Sequence, residues 1–261
     1  MARIFPIFSG SRGNCTYVGS GNGGLLIDSG AGAKRIIESL KQNDISPEEI
    51  KAILITHEHH DHVSGLKALI NALNIPVYAS EQTLAALINS DKIAKSTPLN
   101  VITNTVEIHD ILVKRFETSH DCAGSSGYVF SLRDNTKIAV CTDLGSVTQT
   151  VRDALLGCNV VMLESNHDIN LLQNGPYPLQ LKQRIASDSG HLSNTCCARE
   201  LPALVNSGAT QFILAHLSQD NNNPNIAHSC ATATLLDNKM YENRDYMLYI
   251  ASQNYNKMII C

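Results

Sequence analysis

The stretch Thr56-His57-Glu58-His59-His60-Asp61-His62 constrains this chain more than any other. Four histidines and an aspartate fall within the six residues 57–62. The apolar run Ala52-Ile53-Leu54-Ile55 leads directly into it, and Val63 to Ile70 follows with helical spacing. The run predicts a buried strand and the later segment a helix. The cluster therefore sits on a strand-to-helix turn at the end of a strand, where α/β proteins place their sites. Imidazole and carboxylate are the usual ligands of zinc, manganese and iron. Residues two apart in an extended turn share a face, so His57 and His59 can hold one ion together. Asp61 and His62, where the chain begins to coil, can face a second. His60 lies off the pattern and is expected to be exposed or to support the ligands from behind.

Bulk properties narrow the class. The chain has 261 residues, 43% hydrophobic and 17% charged, which fits a folded protein expected to form one domain over 1–261. A net charge of −4 gives no strong field to attract nucleic acid, so any such binding needs local cations or metals. The N-terminal apolar run is too short for a signal peptide, and no run of about 18 apolar residues offers a membrane span. The eight cysteines show no C-x-x-C pairing. Reduced thiols in the cytoplasm are therefore expected.

Along the chain, Ile4 to Phe8 reads as a strand, followed by the small-residue loop Ser9 to Cys15. Thr16–Val18 and Gly24–Asp28 read as a hairpin through Gly21-Asn22-Gly23. Asp28 ends that strand and could cap the helix expected over 33–43. Ser46-Pro47-Glu48-Glu49 looks like an N-cap followed by proline at the first helical position. Strand and helix follow at 76–79 and 81–88, then three short strands within 97–118. His120 ends a strand, Asp143 ends the strand from Lys137, and Glu164 ends the strand from Asn159. Ser146 is expected to cap a helix to about Leu156. A helix is expected at 178–187, carrying Lys182 and Arg184, and another opens at Gly190-His191-Leu192-Ser193-Asn194. His216 ends the strand from Phe212. A helix near 227–239 and strands at 246–250 and 257–260 close the chain. Cys196, Cys197, His109 and His228 read as structural.

The spacing H-x-H-x-D-H resembles the metal motif of the metallo-β-lactamase superfamily. That resemblance implies an α+β fold, a four-layer αβ/βα sandwich with a dinuclear site at one edge. It also implies the remaining ligands: His57, His59 and His120 for one divalent ion, Asp61, His62 and His216 for a second, and Asp143 shared. Asp28 takes a supporting role behind the ligands, as do Asn166 and His167. The superfamily's β-lactamases carry cysteine at the bridging position, and its diiron redox members carry a carboxylate where this chain has His59. Both departures favour a phosphodiesterase-type hydrolase, in which a hydroxide held by two ions is the nucleophile.

Gly190 to Asn194 is similar to an element of the tRNA 3′-processing branch, in which a histidine and an upstream strand-end glutamate act as a pair. Glu164 and His191 match those positions. A histidine held by a carboxylate can be cationic near neutral pH, stabilise a phosphoryl oxygen and protonate the leaving alkoxide. Over nearly the whole chain, the loop Ser9–Cys15, Thr56–His62, Ser119-His120-Asp121, Leu163–Asp168, Gly190–Asn194 and Leu214–Ser218 resemble the YycJ/WalJ (VicX) family. The resemblance implies metal-dependent 5′→3′ exonuclease activity on DNA, acting at a single strand or strand end. Segment 122–126 departs from the family by lacking a proline. Ser193, Asn194, Lys182, Arg184 and Arg12 are candidate substrate contacts, and the Ser9–Asn14 loop could offer N–H groups to a phosphate. Two other readings share the fold. One is a small-molecule hydrolase, either a cyclic phosphodiesterase or a thioesterase. The other is a regulatory protein that only binds.

Overall fold

Strand residues that alternate between two apolar surroundings build two sheets, each covered by helices on its outer face. The computed structural model describes residues 1–94, 96–254 and 256–261. The first half runs β1 (Arg3–Phe8), β2 (Cys15–Ser20), β3 (Gly23–Ile27), α1 (Ala33–Gln42), β4 (Ile50–Leu54), α2 (His60–Val63), α3 (Leu66–Leu73), β5 (Val77–Ala79), α4 (Glu81–Asn89) and β6 (Leu99–Val101). The second half opens with β7 (Thr105–Ile108), β8 (Ile111–Glu117), β9 (Ser126–Ser131), β10 (Lys137–Cys141), α5 (Gln149–Leu155), β11 (Val160–Glu164), α6 (Ile169–Asn174) and α7 (Leu179–Ile185). It closes with α8 (Asn194–Asn206), β12 (Gln211–Ala215), α9 (Pro224–Asp237), β13 (Met247–Ile250) and β14 (Ile259–Ile260).

The first sheet has the order β14-β1-β2-β3-β4-β5-β6 and the second β13-β12-β11-β10-β9-β8-β7. Strands β3 to β6 are parallel, as are β10 to β13. β14 returns to pair antiparallel with β1. Period-two side-chain alternation explains the layering. In β12, Phe212 and Leu214 face the α5/α8/α9 layer, while Ile213 and Ala215 face the other sheet. In the first sheet, Ile53 packs with α1, α3 and α4, while Ala52 and Leu54 meet Tyr128, Phe130 and Met162 between the sheets. This is the four-layer αβ/βα sandwich.

Four local expectations change. The helix expected over 63–70 is broken into α2 and α3 at Ser64-Gly65. Loop 28–32 docks there: Ser64 Oγ donates to the Gly30 carbonyl at 2.7 Å, and a Cβ on Gly65 would lie 1.9 Å from the Ala31 carbonyl oxygen. Thr148, not Ser146, caps α5, its hydroxyl accepting from Val151 N–H. Ser146 is held instead by Ser119. Pro47–Glu49 makes one 3-10 turn and no longer helix. α6, capped by Asp168, had no counterpart in the sequence reading.

Candidate metal centre

Six of the seven predicted ligands lie beyond the C-terminal ends of parallel strands, and His120 follows β8, which pairs antiparallel with β7 and β9. β4 delivers the motif, β10 leads to Asp143, β11 ends in Glu164, and β12 leads to His216. This is the crevice where open α/β sheets bind ligands. Asp28, Asp143 and His216 each take positive φ, at 62°, 60° and 56°. That left-handed backbone is uncommon for residues other than glycine. It lets each chain turn sharply at a strand end.

Hydrogen bonds select one nitrogen on four of the five histidines in the cluster. His57 Nδ1 donates to Thr56 Oγ1 at 3.0 Å, His120 Nδ1 to the Gly190 carbonyl at 3.0 Å, and His62 Nδ1 to Asp28 Oδ2 at 2.7 Å. His216 Nδ1 donates to Glu164 Oε1 at 2.8 Å. Each leaves Nε2 as the lone-pair donor, the arrangement in which an outer partner sets the tautomer of a metal-ligating histidine. His57, His59 and His120 bring ligand atoms within 4.8 Å of one another, as do Asp61, His62 and His216. His57, His62 and Asp143 form a third such group that joins the two trios. Asp143 Oδ2 lies 3.3 Å from His62 Nε2, and its Oδ1 lies 3.9 Å from His120 Nε2. All seven predicted ligands are therefore brought together, with Asp143 between the trios.

Divalent cations fit these residues. His57 Nε2, Asp143 Oδ2 and His216 Nε2 are buried with no hydrogen-bond partner among the described residues. Buried polar atoms are rarely left so, and all three point to the same cluster. Burial holds the pKa of His57 and His120 below the usual histidine value, which keeps them neutral donors. Burial opposes the charge of Asp61, yet His62 and His216 beside it hold its carboxyl well below the usual range.

Glu164 is completely buried and spends both oxygens. Its Oε1 accepts from His191 Nδ1 and His216 Nδ1, each at 2.8 Å. Its Oε2 accepts from the backbone N–H of Leu144 at 2.9 Å and of Leu192 at 3.3 Å. With its acceptors filled, Glu164 is a clamp on two histidines, not a further metal ligand. Burial opposes a charge on His191, but Glu164 outweighs it and raises the pKa.

Several supporting residues are visible only in three dimensions. Asn14 Nδ2 donates to Asp61 Oδ2 at 3.2 Å, while its Oδ1 accepts from Gly10 N–H at 2.8 Å. Thr56 donates to Asp28 through its backbone N–H at 2.8 Å and its hydroxyl at 2.9 Å. Asp28 is thus a support for His62 and not the cap of α1, whose N-cap is Gly32. Ser9 Oγ accepts from His216 N–H at 2.8 Å. The sequence signal for Asn14 and Ser9 is the small-residue loop itself, whose composition points to its backbone N–H groups and not to these side chains. His60 is exposed. Cys141 is packed in the sheet, where burial pushes its thiol pKa up.

The expected substrate contacts divide. A cleft of about 250 Å³ opens over the cluster, and Asn166, Arg184 and His191 are among the residues lining it. Arg184 is bidentate on Asp121, at 2.5 and 3.0 Å. Ser193 and Asn194 do not line the cleft. Ser193 caps α8 through Cys196 N–H, and Asn194 is buried, accepting from Ser165 Oγ at 2.7 Å and donating to Asn222 at 2.9 Å. Lys182 turns away and donates to the Gln173 carbonyl. Arg12 is exposed and outside the lining. Asn166 donates to the His216 carbonyl at 2.8 Å. His167 is buried, and its backbone carbonyl accepts from Asn194 N–H, while its side chain bonds none of the seven ligands.

Residues 9–189 match the profile of the metallo-beta-lactamase superfamily. The chain belongs to the metallo-β-lactamase superfamily. Within it, the chain is 35% identical over 232 residues to "Exodeoxyribonuclease YycJ" of Bacillus anthracis, spanning 87% of this chain and 86% of that protein. It is 33% identical over 248 residues to "Exodeoxyribonuclease WalJ" of Streptococcus pneumoniae, spanning 94% of this chain and 92% of that one. These relatives place the chain in the YycJ/WalJ family of the superfamily. The metallo-β-lactamase fold protein YhfI of Bacillus subtilis superposes with a TM-score of 0.72 at 15% identity, over 98% of this chain and 99% of that one, which shows the shared fold. Among the described residues, no helix is long and apolar enough to cross a membrane.

Proposed function

We propose that this member of the YycJ/WalJ family is a metal-dependent exonuclease that hydrolyses phosphodiesters from the 5′ end of a DNA strand. The observation that carries the reading is the Glu164–His191 pair beside Asp143: the His191 Nδ1 to Glu164 Oε1 distance is 2.8 Å, and His191 Nδ1 lies 3.7 Å from Asp143 Oδ1. The names of the YycJ and WalJ relatives support the same substrate.

In this reading His57, His59 and His120 would hold one divalent ion, Asp61, His62 and His216 would hold a second, and Asp143 would be shared. Zinc, manganese and iron all suit such a donor set. When bound, the ions supply Lewis acidity and make water nucleophilic near neutral pH. The chain's own residues do the rest. Asp28, Thr56 and Asn14 fix the directions of His62, His57 and Asp61. Glu164 holds His191 by Nδ1, so Nε2 is the nitrogen left for the substrate. His191, whose proton that carboxylate favours, stabilises charge on a phosphoryl oxygen when it carries that proton. As the P–O bond breaks, it passes its proton to the departing alkoxide. Arg184 meets a phosphate at the rim.

We also read the chain as one domain, supported by the core shared between the sheets and by the return of β14 to β1. Its eight free thiols fit a reducing cytoplasm. The small cleft also suits a small phosphodiester, and one assay separates the two substrates. DNA and RNA oligonucleotides labelled at the 5′ or the 3′ end are incubated with metal-loaded protein, alongside bis(p-nitrophenyl) phosphate. The expected result is early release of the 5′ label from DNA as a mononucleotide. Hydrolysis of the small ester with every nucleic acid left intact would overturn the exonuclease reading.

A further inference from the structure

Most of the cleft lining is polar, but three of its residues have no part in phosphoryl transfer. Beside the metal-centre residues stand Tyr177, Leu181 and Ile185, with Arg184 among them. Leu181 and Ile185 are spaced i, i+4 on α7 and Arg184 lies at i+3, so one face of the helix supplies all three. Lys182, on another face, bonds the Gln173 carbonyl instead. Tyr177 precedes the helix, and its hydroxyl donates to Asp220 Oδ2 at 2.6 Å. That bond ties down the phenol at its hydroxyl, and the half-buried side chain lines the cleft. A phosphate needs cations and N–H donors. An aromatic ring with two aliphatic side chains matches the flat face of a nucleobase.

Resting on the exonuclease reading, we propose that Tyr177, Leu181 and Ile185 form a shelf that receives the base of the terminal nucleotide. Arg184 sits at its edge and takes the adjoining phosphate. Its Nε and one Nη2 hydrogen engage Asp121, and three of its five N–H donors remain. Stacking reads no sequence, because every base has a π face, so the shelf accepts all four bases. It also demands that the terminal base leave its stack, so an end that frays readily is digested faster than a blunt, well-paired one.

The test is a cycle between protein and substrate. Wild-type protein and the Y177A and L181A variants are given a 5′-labelled single strand that carries either a normal nucleotide or an abasic residue at its terminus. The phosphates are the same in both. Wild type is expected to cleave the abasic end about tenfold less efficiently, mostly through KM. Y177A should lose a similar factor on the normal end and little more on the abasic one, while Y177F retains most of the wild-type rate. A blunt duplex should be digested more slowly than one with a mismatched end. The shelf alone is overturned if wild type digests both strands equally well, or if the two losses simply multiply. Failure of wild type to digest any strand defeats the exonuclease reading, and the shelf with it. The abasic comparison uses unaltered protein, so it stands even if a variant fails to fold.

Discussion

Asp28 touches His62 and Thr56, and through them it orders two of the seven side chains of the cluster, His62 and His57. Removing it frees the His62 ring to rotate and to expose the wrong nitrogen. Asp28→Ala should weaken metal affinity by about 10–100-fold, the usual cost of losing such an outer partner. Titration of metal-free protein against a chromophoric chelator measures this, and an unchanged affinity contradicts it. Glu164→Gln replaces an anion that accepts from two histidines by a neutral amide. Turnover on DNA should fall on the order of 10²-fold or more with KM little changed, because general-acid catalysis is lost. Steady-state kinetics decides, and near-wild-type turnover contradicts the role. The convergence of the seven side chains was legible in the sequence because strand-end histidines and carboxylates combine with a dense motif. Their supports were less so. Asn14 reaches Asp61 across 47 residues of chain, and no local pattern marks that bond. Ser193 and Asn194 look alike in sequence whether they meet substrate or cap a helix, and only their burial distinguishes the two.

At the scale of elements, the site depends on close approach of loops. The loop after β3 passes against the motif, and a Cβ on Gly30 would lie 1.6 Å from the Asp61 carbonyl oxygen. Backbone must therefore move in Gly30→Ala. Overpacking of this kind costs about 1–3 kcal/mol, which lowers the melting temperature of a chain of this size by about 2–10 °C. Metal affinity should drop with it, because Asp61 shifts. Gly32→Ala is the matched control: nothing lies within 4 Å of its Cβ, and its φ of −58° suits alanine. A change of less than about 0.5 kcal/mol is expected there. Thermal melts of the pair settle the point, and equal stability of the two variants contradicts it. Periodicity showed the strands and the longer helices. It missed the break between α2 and α3, because the cause is loop 28–32 docking on Gly65 and Ser64 through contacts 34 residues apart in the chain. It missed α6 because a helix of six residues carries too few turns to show a period.

On the scale of the whole molecule, the two sheets present their ligands from both sides of one crevice. The motif and Asp28 come from the first sheet, and His120, Asp143 and His216 from the second. Ions held there would tie the halves together and stabilise the native state by mass action. At a free concentration of about 100 times Kd, that linkage is worth about 2.7 kcal/mol. Chelation should therefore lower the melting temperature by about 5–10 °C, and restored manganese or zinc should recover it. An unchanged melt after full metal removal contradicts the linkage. The number of ions bound tests the centre most directly. Elemental analysis of purified, metal-reconstituted wild type should give two equivalents per chain, with a loss in Asp143→Ala, which keeps its fold but not its activity. Less than one equivalent in wild type, or two equivalents and full activity in Asp143→Ala, would contradict the shared dinuclear centre.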